Sequence, residues 1–328
     1  MLLHGGFGRS KLNNRIVQRG KNVPRCFQIG KGTVVRFQGK DRCKVFNNLC
    51  TQDLRKLTDG QALETFVTDV KGRTFGHGIA FAVDGEAFFL TVPEQGPKLV
   101  PHFDRYIIRE DAILYDMSNE LRFWLFPDRS SVARTFAIAT EAVPGPSSAM
   151  SIEMHGHAIL LVSAPWIGPE SILALVPETC NEQAMVERLG SDWVLSNMDQ
   201  RIGWELSRIL SFWPWYGTDL DDRHLPQEID RDQAAISFNK GCYLGQETIA
   251  RLDMLGKIQK KLVRLRVDSL DCPKAATPVL AEDKEVGSIC SAALEPDTGT
   301  YLALAFVKRS HFATGQVLNM DGHKVTVL

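Results

Sequence analysis

The 328-residue sequence lacks three features that would assign a class of protein directly. Its seven cysteines include no C-x-x-C pair, and no two of its eight histidines stand four residues apart. No uncharged apolar run approaches the ~18 residues of a membrane-spanning helix. An odd cysteine count without paired spacing argues against a disulfide framework, a structural zinc site and a metal cluster held by this chain alone. We therefore expect reduced thiols, no resident metal and no membrane partner.

Neither sign of charge dominates the chain. It has 38 Lys and Arg against 39 Asp and Glu, for a net charge of −1 and a pI near 6.7. No overall field would attract a polyanion, so we expect no direct nucleic-acid partner. Acidic residues are absent from residues 1–40, which hold nine Lys and Arg. We interpret residues 1–22 as a flexible N-terminal extension and expect a cytoplasmic protein, with an organellar matrix as the alternative if this basic segment is a transit peptide.

Strand and helix patterns are interleaved in hairpin order along the first 256 residues. Residues 33–37, 63–67, 78–83 and 157–162 predict strands, whereas 96–108 and 199–210 predict helices. This order favours α+β layers over a doubly wound parallel sheet.

After residue 257 the pattern changes to short strand candidates separated by turns, which indicates a small closed β domain. Five such strands are predicted there, over 262–267, 277–280, 285–291, 300–307 and 324–327. The predicted organisation is an extension over 1–22, an α+β region over 23–256 and a β-barrel over 257–328. Residues 117–150 are a candidate break between two subdomains of the α+β region.

The segment most typical of a functional site is Lys240-Gly241-Cys242-Tyr243-Leu244-Gly245-Gln246-Glu247. Residues 246–251 have the composition of a helix, so Cys242 is predicted to lie in a glycine-flanked turn just before a helix N-terminus. The helix dipole and the nearby Lys240 cation would favour a thiolate there, which makes Cys242 a candidate reactive thiol. The alternative is that Cys242 is a small buried apolar residue, the commoner fate of a free cysteine.

This segment resembles the K-G-C-Y-x-G-Q-E signature of the YgfZ family, relatives of the glycine-cleavage T-protein that serve iron–sulphur proteins. The resemblance covers roughly residues 30–260. Outside the signature it includes Gly39-Lys40-Asp41, Thr51-Gln52-Asp53, Lys71-Gly72-Arg73 and the stretches 106–109, 225–228 and 236–238.

The resemblance implies a T-protein-like arrangement of mixed α/β units around a central opening that accepts tetrahydrofolate, with a small C-terminal β-barrel alongside. Carried over to this sequence, Asp69 would accept hydrogen bonds from the pterin, although a turn-forming Asp bonded to its own backbone is an equal alternative. The cations Lys71, Arg73 and Arg208 would face the glutamate tail, unless they are solvated surface charges. The remaining implied contacts of the cofactor are Gly72, Lys240, Gly241, Tyr243, Gln246 and Glu247.

The resemblance leaves three functions open. The first is a folate-dependent accessory factor for assembly or repair of iron–sulphur proteins, including enzymes of tRNA modification, with client proteins or cluster carriers as partners. The second is a tetrahydrofolate-dependent aminomethyltransferase, and the third is a folate-binding scaffold without chemistry. Aminomethyl transfer is disfavoured because Gly76 and His77 stand where the T-proteins carry an Asp pair, so the carboxylate that would steer a developing cationic amine is missing.

Overall fold

The computed structural model describes residues 26–189, 197–256 and 258–328, so the predicted extension over 1–22 lies outside the described residues. The first sheet is antiparallel throughout. Its strands, in spatial order, are β3 (Ala62–Thr68), β4 (Thr74–Val83), β5 (Glu86–Thr91), β2 (Thr33–Gln38) and β6 (Ile113–Asp116). Side chains alternate between the faces of a sheet, and nearly every residue of β4 is buried, so both faces of this sheet are covered.

The second sheet is also antiparallel. It contains, in spatial order, β1 (Phe27–Lys31), β7 (Leu121–Phe126), β10 (Ile172–Pro177), β9 (His157–Ser163) and β8 (Ala149–Met154). Of these strands the sequence predicted only β9. The central strands β7 and β10 are almost continuously buried, so they lack the alternation of polar and apolar residues that marks a half-exposed strand.

The two sheets pack face to face, and helices cover their outer faces. Phe81 and Leu90 of the first sheet share one apolar core with Phe123 and Leu175 of the second. The outer helices are α1 (Arg42–Asn47) and α2 (Gly96–Asp104) on the first sheet, and α3 (Arg129–Phe136) and α4 (Gln183–Leu189) on the second. The result is a helix–sheet–sheet–helix arrangement, which confirms the α+β class. Helix α2 ends four residues before the predicted limit, because Tyr106 and Ile107 continue in tight turns.

The C-terminal strands form a closed antiparallel barrel. Its strands, in order around the barrel, are β11 (Lys260–Val267), β14 (Thr300–Lys308), β13 (Lys284–Glu295), β12 (Pro278–Ala281), β15 (Val317–Met320) and β16 (His323–Val327). The barrel confirms the prediction, and β15 is a sixth strand that the sequence did not reveal. Side chains of β14 alternate: Ala303 and Ala305 fill the barrel, whereas Leu302 and Leu304 face the body.

Three helices and two short 3-10 turns complete the described fold. The helices are α5 (Asn197–Leu210), α6 (Asp232–Ala235) and α7 (Gln246–Leu255), and the 3-10 turns are Thr140–Ala142 and Pro226–Ile229. Ile209 of α5 and Ile249 of α7 share an apolar cluster with Phe66 of β3 and with the outer face of the barrel. Within the described ranges, no helix is long and apolar enough to cross a membrane.

A buried polar brace ties the barrel to the body. Asp219 is 2% exposed, and its Oδ2 accepts hydrogen bonds from Arg208 Nη1 at 2.5 Å and from the Trp215 backbone N–H at 2.7 Å. Its Oδ1 accepts from the hydroxyl of Ser291, in β13, at 2.6 Å. One carboxylate therefore joins α5, the loop that follows it and the barrel.

Candidate functional site

The signature residues 240–247 lie against two segments that precede them by 176 to 196 positions. The Leu244 N–H donates to the Asn48 carbonyl at 2.8 Å, and the Thr68 hydroxyl donates to the Leu244 carbonyl at 2.6 Å. Just before the signature, the Ser237 N–H donates to the Thr51 carbonyl at 3.0 Å. The signature is thus held by the loop after α1 and by the end of β3.

The turn between β3 and β4 brings Asp69 and Gly72 to the same place. Asp69 Oδ1 accepts the backbone N–H groups of Lys71 and Arg73, both at 2.8 Å, so this oxygen stabilises its own turn. That is the turn-forming alternative for Asp69. Lys71 and Arg73 are exposed on this turn, whereas Gly72 is buried.

Gly72 and Gly245 form the contact between the turn and the signature. A Cβ built on Gly245 would lie 2.4 Å from the Asp69 carbonyl oxygen and 2.5 Å from the Gly72 backbone nitrogen. Gly245 also has φ of +78°, a left-handed conformation in which side chains are strained. Only glycine allows this approach, so the requirement for a glycine at Gly245 is steric.

We expect Gly245→Ala to lower the free energy of unfolding by about 2–3 kcal/mol, because left-handed strain and overpacking against backbone add together. Gly241→Ala is the matched control within the same signature, since nothing lies within 4 Å of a Cβ built there. Urea denaturation of both variants measures the difference. Equal stability of the two variants would contradict the proposed backbone contact.

Lys240 does not face the Cys242 thiol as the sequence suggested. Its side chain is buried, and Nζ donates to the backbone carbonyls of Asn47 at 2.7 Å, Cys50 at 2.8 Å and Gln52 at 2.7 Å. Burial lowers the pKa of Lys240 from its ordinary value. The predicted role of this cation in stabilising a Cys242 thiolate is therefore not supported by the geometry.

Cys242 and the residues around it differ sharply in exposure. Cys242 and Gly241 are exposed, so the buried apolar alternative for Cys242 is wrong. Tyr243 is 8% exposed and packs in the cluster shared with the barrel, where burial raises the pKa of its hydroxyl. Tyr243 therefore anchors the turn, and the thiol beside it is presented to solvent.

The last two signature residues begin helix α7. Gln246 is the first helical residue and is half-buried, and its N–H donates to the Tyr243 carbonyl at 3.2 Å. Glu247 is exposed in the first turn, where a negative charge complements the helix dipole. Both stay candidate ligand contacts, and both also have an evident local role.

The geometry does not favour the implied contact between Arg208 and a glutamate tail. Arg208 is 1% exposed, and its guanidinium is used by Asp219, by Glu205 at 2.8 Å and by the Trp213 carbonyl at 3.2 Å. An arginine enclosed and paired in this way serves the brace to the barrel. The structure brings together the other predicted residues, from the turn at Asp69 and from the signature.

Sequence reasoning missed a buried polar cluster formed by Glu64, His77 and Arg231. Arg231 Nη2 donates to Glu64 Oε2 at 2.5 Å, and His77 Nε2 lies 2.8 Å from Glu64 Oε1. The His77 ring lies between those of Phe66 and Trp213, with centroids 4.7 and 4.6 Å away. The signal was Glu64 itself, since a carboxylate in an otherwise uncharged and largely buried strand requires a buried partner.

This cluster also accounts for the residues that replace the T-protein Asp pair. Gly76 faces the helix side of the sheet, where a Cβ would lie 3.0 Å from Leu99 Cδ2. His77 faces the other side, where burial lowers the pKa of its ring and Nε2 is hydrogen-bonded to Glu64 Oε1 at 2.8 Å. At 2% exposure and paired with Glu64, this imidazole is too enclosed to reach a substrate as a general base.

The described part of the chain contains no cluster of three or more His, Cys, Asp or Glu residues that would hold a metal ion. No disulfide joins any of the seven cysteines, all of which lie in described residues, and of these only Cys242 and Cys272 are exposed.

Comparisons with known proteins agree with this architecture. Residues 260–327 match the family model described as the glycine cleavage T-protein C-terminal barrel domain. The aminomethyltransferase T of the glycine cleavage system from Bartonella henselae has the same fold, with a TM-score of 0.81 at 12% identity over 98% of this chain and 88% of that one.

Two curated relatives cover most of the sequence. A tRNA-modifying protein YgfZ from Yersinia enterocolitica is 25% identical over 310 residues, which are 90% of this chain and 87% of the relative. A chloroplastic protein of Arabidopsis thaliana, named as a candidate transferase, is 22% identical over 293 residues, 87% of this chain. The matched region spans 66% of the Arabidopsis protein's own length.

Proposed function

We propose that this chain, which is similar to proteins of the YgfZ family, is a folate-dependent accessory factor for the assembly or repair of iron–sulphur proteins, among them enzymes of tRNA modification. The tRNA-modification part of the proposal is supported by relatives named tRNA-modifying protein YgfZ. The family resemblance of the signature supplies the folate and iron–sulphur parts. We place the protein in the cytoplasm, with the organellar matrix as the alternative.

The observation that carries the proposal is the exposed thiol of Cys242 on a turn fastened at both ends. Ser237 and Leu244 each donate a backbone hydrogen bond to the loop after α1, on either side of Cys242. A reacting thiol needs access for its partner and a fixed position, and this turn provides both. We therefore propose that Cys242 reacts directly with a client protein or a cluster carrier.

The residues beside this turn fit one part of tetrahydrofolate well. Lys71 and Arg73 are exposed next to the signature, where they would hold the carboxylates of the glutamate tail. Asp69 Oδ2 would accept an N–H group of the pterin. Bound folate would supply one-carbon or redox chemistry beside Cys242, while the protein residues bind and orient it.

Aminomethyl transfer is the less favoured function for this site. The position of the T-protein carboxylates is occupied by Gly76, which faces a packed helix, and by His77, whose ring is enclosed and bonded to Glu64. No carboxylate is presented there to a developing cationic amine. We expect no transfer of an aminomethyl group from lipoyl carrier protein by the purified protein.

Replacement of Cys242 tests the proposed function in cells. In cells that lack the protein, we expect Cys242→Ala to leave the activity of radical-dependent tRNA thiomethylases at the level of the cells without it. Cys272→Ala is the matched control, because it removes the other exposed thiol. Full rescue by Cys242→Ala, with the protein present at normal abundance, would show that the thiol is dispensable.

Thermal unfolding tests the folate proposal separately. Tetrahydrofolate at 100 times its Kd is expected to stabilise the protein by about 2.7 kcal/mol, because it binds only the native state. The double variant Lys71→Ala/Arg73→Ala should weaken the binding of polyglutamylated folate more than the binding of the monoglutamate, since it removes the cations that face the glutamate tail. An unchanged melting temperature at saturating folate would remove the cofactor from the proposal.

A further inference from the structure

The ammonium of Lys240 occupies a cage of backbone oxygens. A protonated lysine has three N–H donors, and here they meet three carbonyl oxygens, those of Asn47, Cys50 and Gln52, at 2.7, 2.8 and 2.7 Å. The side chain is 5% exposed, so water does not compete for these donors. Every hydrogen-bonding group of the cation is satisfied within the protein.

The loop that provides the cage needs a cation to keep its shape. Three carbonyl dipoles that point at one position repel each other unless a donor or a positive charge lies between them. The Asn47 carbonyl is also at the C-terminal end of α1, where the helix dipole favours a positive charge. Lys240 therefore determines the conformation of residues 47–52 as much as the loop determines the position of Lys240.

The same loop fixes the turn that carries Cys242. The carbonyls of Asn48 and Thr51, which alternate with the cage carbonyls along the chain, accept the backbone N–H groups of Leu244 and Ser237. Loss of the cation would release these acceptors and with them both ends of the turn. The thiol on which the Lys240 charge acts directly is the buried Cys50, whose pKa is raised by burial and lowered in part by Lys240.

We propose that Lys240 is a positioning residue that holds Cys242 in place through the carbonyl cage, and that a free alkylammonium ion can take over this role. The inference deepens the proposed function and rests on it, because Cys242 is the thiol whose position matters. Lys240→Ala removes the three outer carbons and the nitrogen of the side chain. The resulting cavity has the size and the oxygen lining to bind n-propylammonium.

Hydrogen exchange of the full-length protein, followed by mass spectrometry, tests the proposal. In Lys240→Ala, we expect the Leu244 amide to exchange at least about tenfold faster, since charge-assisted hydrogen bonds that fix its acceptor are lost. Amides of the barrel strand β14 should exchange as before. Added n-propylammonium should restore the slow exchange at Leu244, whereas propan-1-ol, without charge, and tetramethylammonium, without N–H donors, should not.

Alkylation of Cys242 by iodoacetamide separates positioning from activation. If Lys240 only positions Cys242, we expect Cys242 in Lys240→Ala to be alkylated at least as fast as in the parent protein. The alkylation of Cys272 serves as the internal reference. A rate at least tenfold slower would assign Lys240 to activation of the thiol and overturn the proposal. These readouts need no cellular activity, so their failure would leave the proposed role of Cys242 unaffected.

Lys240→Met provides a second variant that keeps the apolar stem. We expect the same local increase in exchange at Leu244 but no rescue by n-propylammonium, because the methionine side chain fills the cavity. Uniformly faster exchange in both variants, including β14, would show that Lys240 serves only the overall stability and would overturn the positioning role. Equal hydrogen exchange at the Leu244 amide in the parent protein and both variants would also overturn the positioning role.

Discussion

Asp219→Ala is expected to lower the free energy of unfolding by about 3–5 kcal/mol, because it leaves the buried guanidinium of Arg208 without its enclosed partner. Asp219 and Arg208 are 2% and 1% exposed, so water cannot replace the lost carboxylate without a rearrangement. The variant also removes the acceptor of the Trp215 N–H and of the Ser291 hydroxyl. Urea denaturation at neutral pH measures the loss.

Glu205→Ala is the matched control for this brace. Glu205 pairs with the same guanidinium, but its side chain is 37% exposed, so its removal should cost about 1 kcal/mol or less. Because Ser291 belongs to β13, we also expect Asp219→Ala to increase hydrogen exchange in the barrel more than Glu205→Ala does. Similar losses in the two variants would show that burial of the pair does not determine its contribution.

The fold could be predicted where a strand is bounded by a clear turn. Strand β2 is followed by Gly39 and the barrel strands are separated by turns, and their predicted limits agree with the structure to within a few residues. Strands β7 and β10 lie at the centre of a sheet covered on both faces, so their sequences carry no alternation. Strand β15 has only four residues, which is too short for any periodicity to be recognised.

The candidate site could be located from the sequence, but its internal contacts could not. The signature marks the turn of Cys242, and the segment at Asp69 was recognised separately. Their contact through Gly72 and Gly245 depends on backbone geometry, which cannot be inferred from the types of the side chains. For the same reason Lys240 was assigned to the nearest thiol in sequence, whereas its partners are carbonyl oxygens almost 200 residues away.

The partners of the buried charged residues could not be predicted from the sequence either. Arg208 is part of the matched family pattern, and chemistry alone suits it to folate carboxylates as well as to Asp219. Only burial distinguishes the two partners. Glu64 and Arg231 form an equally strong pair that no motif contains, since their partnership joins a strand to a loop 167 positions later. Ion pairs inside a fold are set by the packing of distant segments.

The other large expected effect concerns the pair of Glu64 and Arg231. Arg231→Met should lower the free energy of unfolding by about 3–5 kcal/mol at neutral pH, because Glu64 would remain buried and charged without its cation. In the parent protein burial tends to raise the pKa of Glu64, but the hydrogen bonds and charge of Arg231 hold it down at about 2. Removal of Arg231 should therefore raise the pKa of Glu64 above its value in the unfolded chain, ~4.3.

The pH dependence of this loss has a definite sign. In the parent protein the depressed pKa contributes stability that is complete above pH ~4.3 and disappears as the pH falls toward 2. In Arg231→Met the raised pKa gives a penalty that is largest at neutral pH and disappears once Glu64 is protonated in both states. The difference in unfolding free energy between the two proteins should thus begin to shrink as the pH falls through the raised pKa of Glu64, above ~4.3, and should continue to shrink toward pH 2.

Two further variants identify Glu64 as the source of the effect. Glu64→Gln/Arg231→Met removes the uncompensated charge and should regain most of the stability that Arg231→Met loses, which a double-mutant cycle would quantify. Lys261→Met, in the barrel strand β11, is the control, because Lys261 pairs with Asp230 at 2.7 Å in a partly exposed position and its loss should cost about 1 kcal/mol or less. A loss in Arg231→Met that is independent of pH and persists in the double variant would instead assign the effect to packing against Trp213, whose ring centroid lies 5.0 Å from the Arg231 guanidinium.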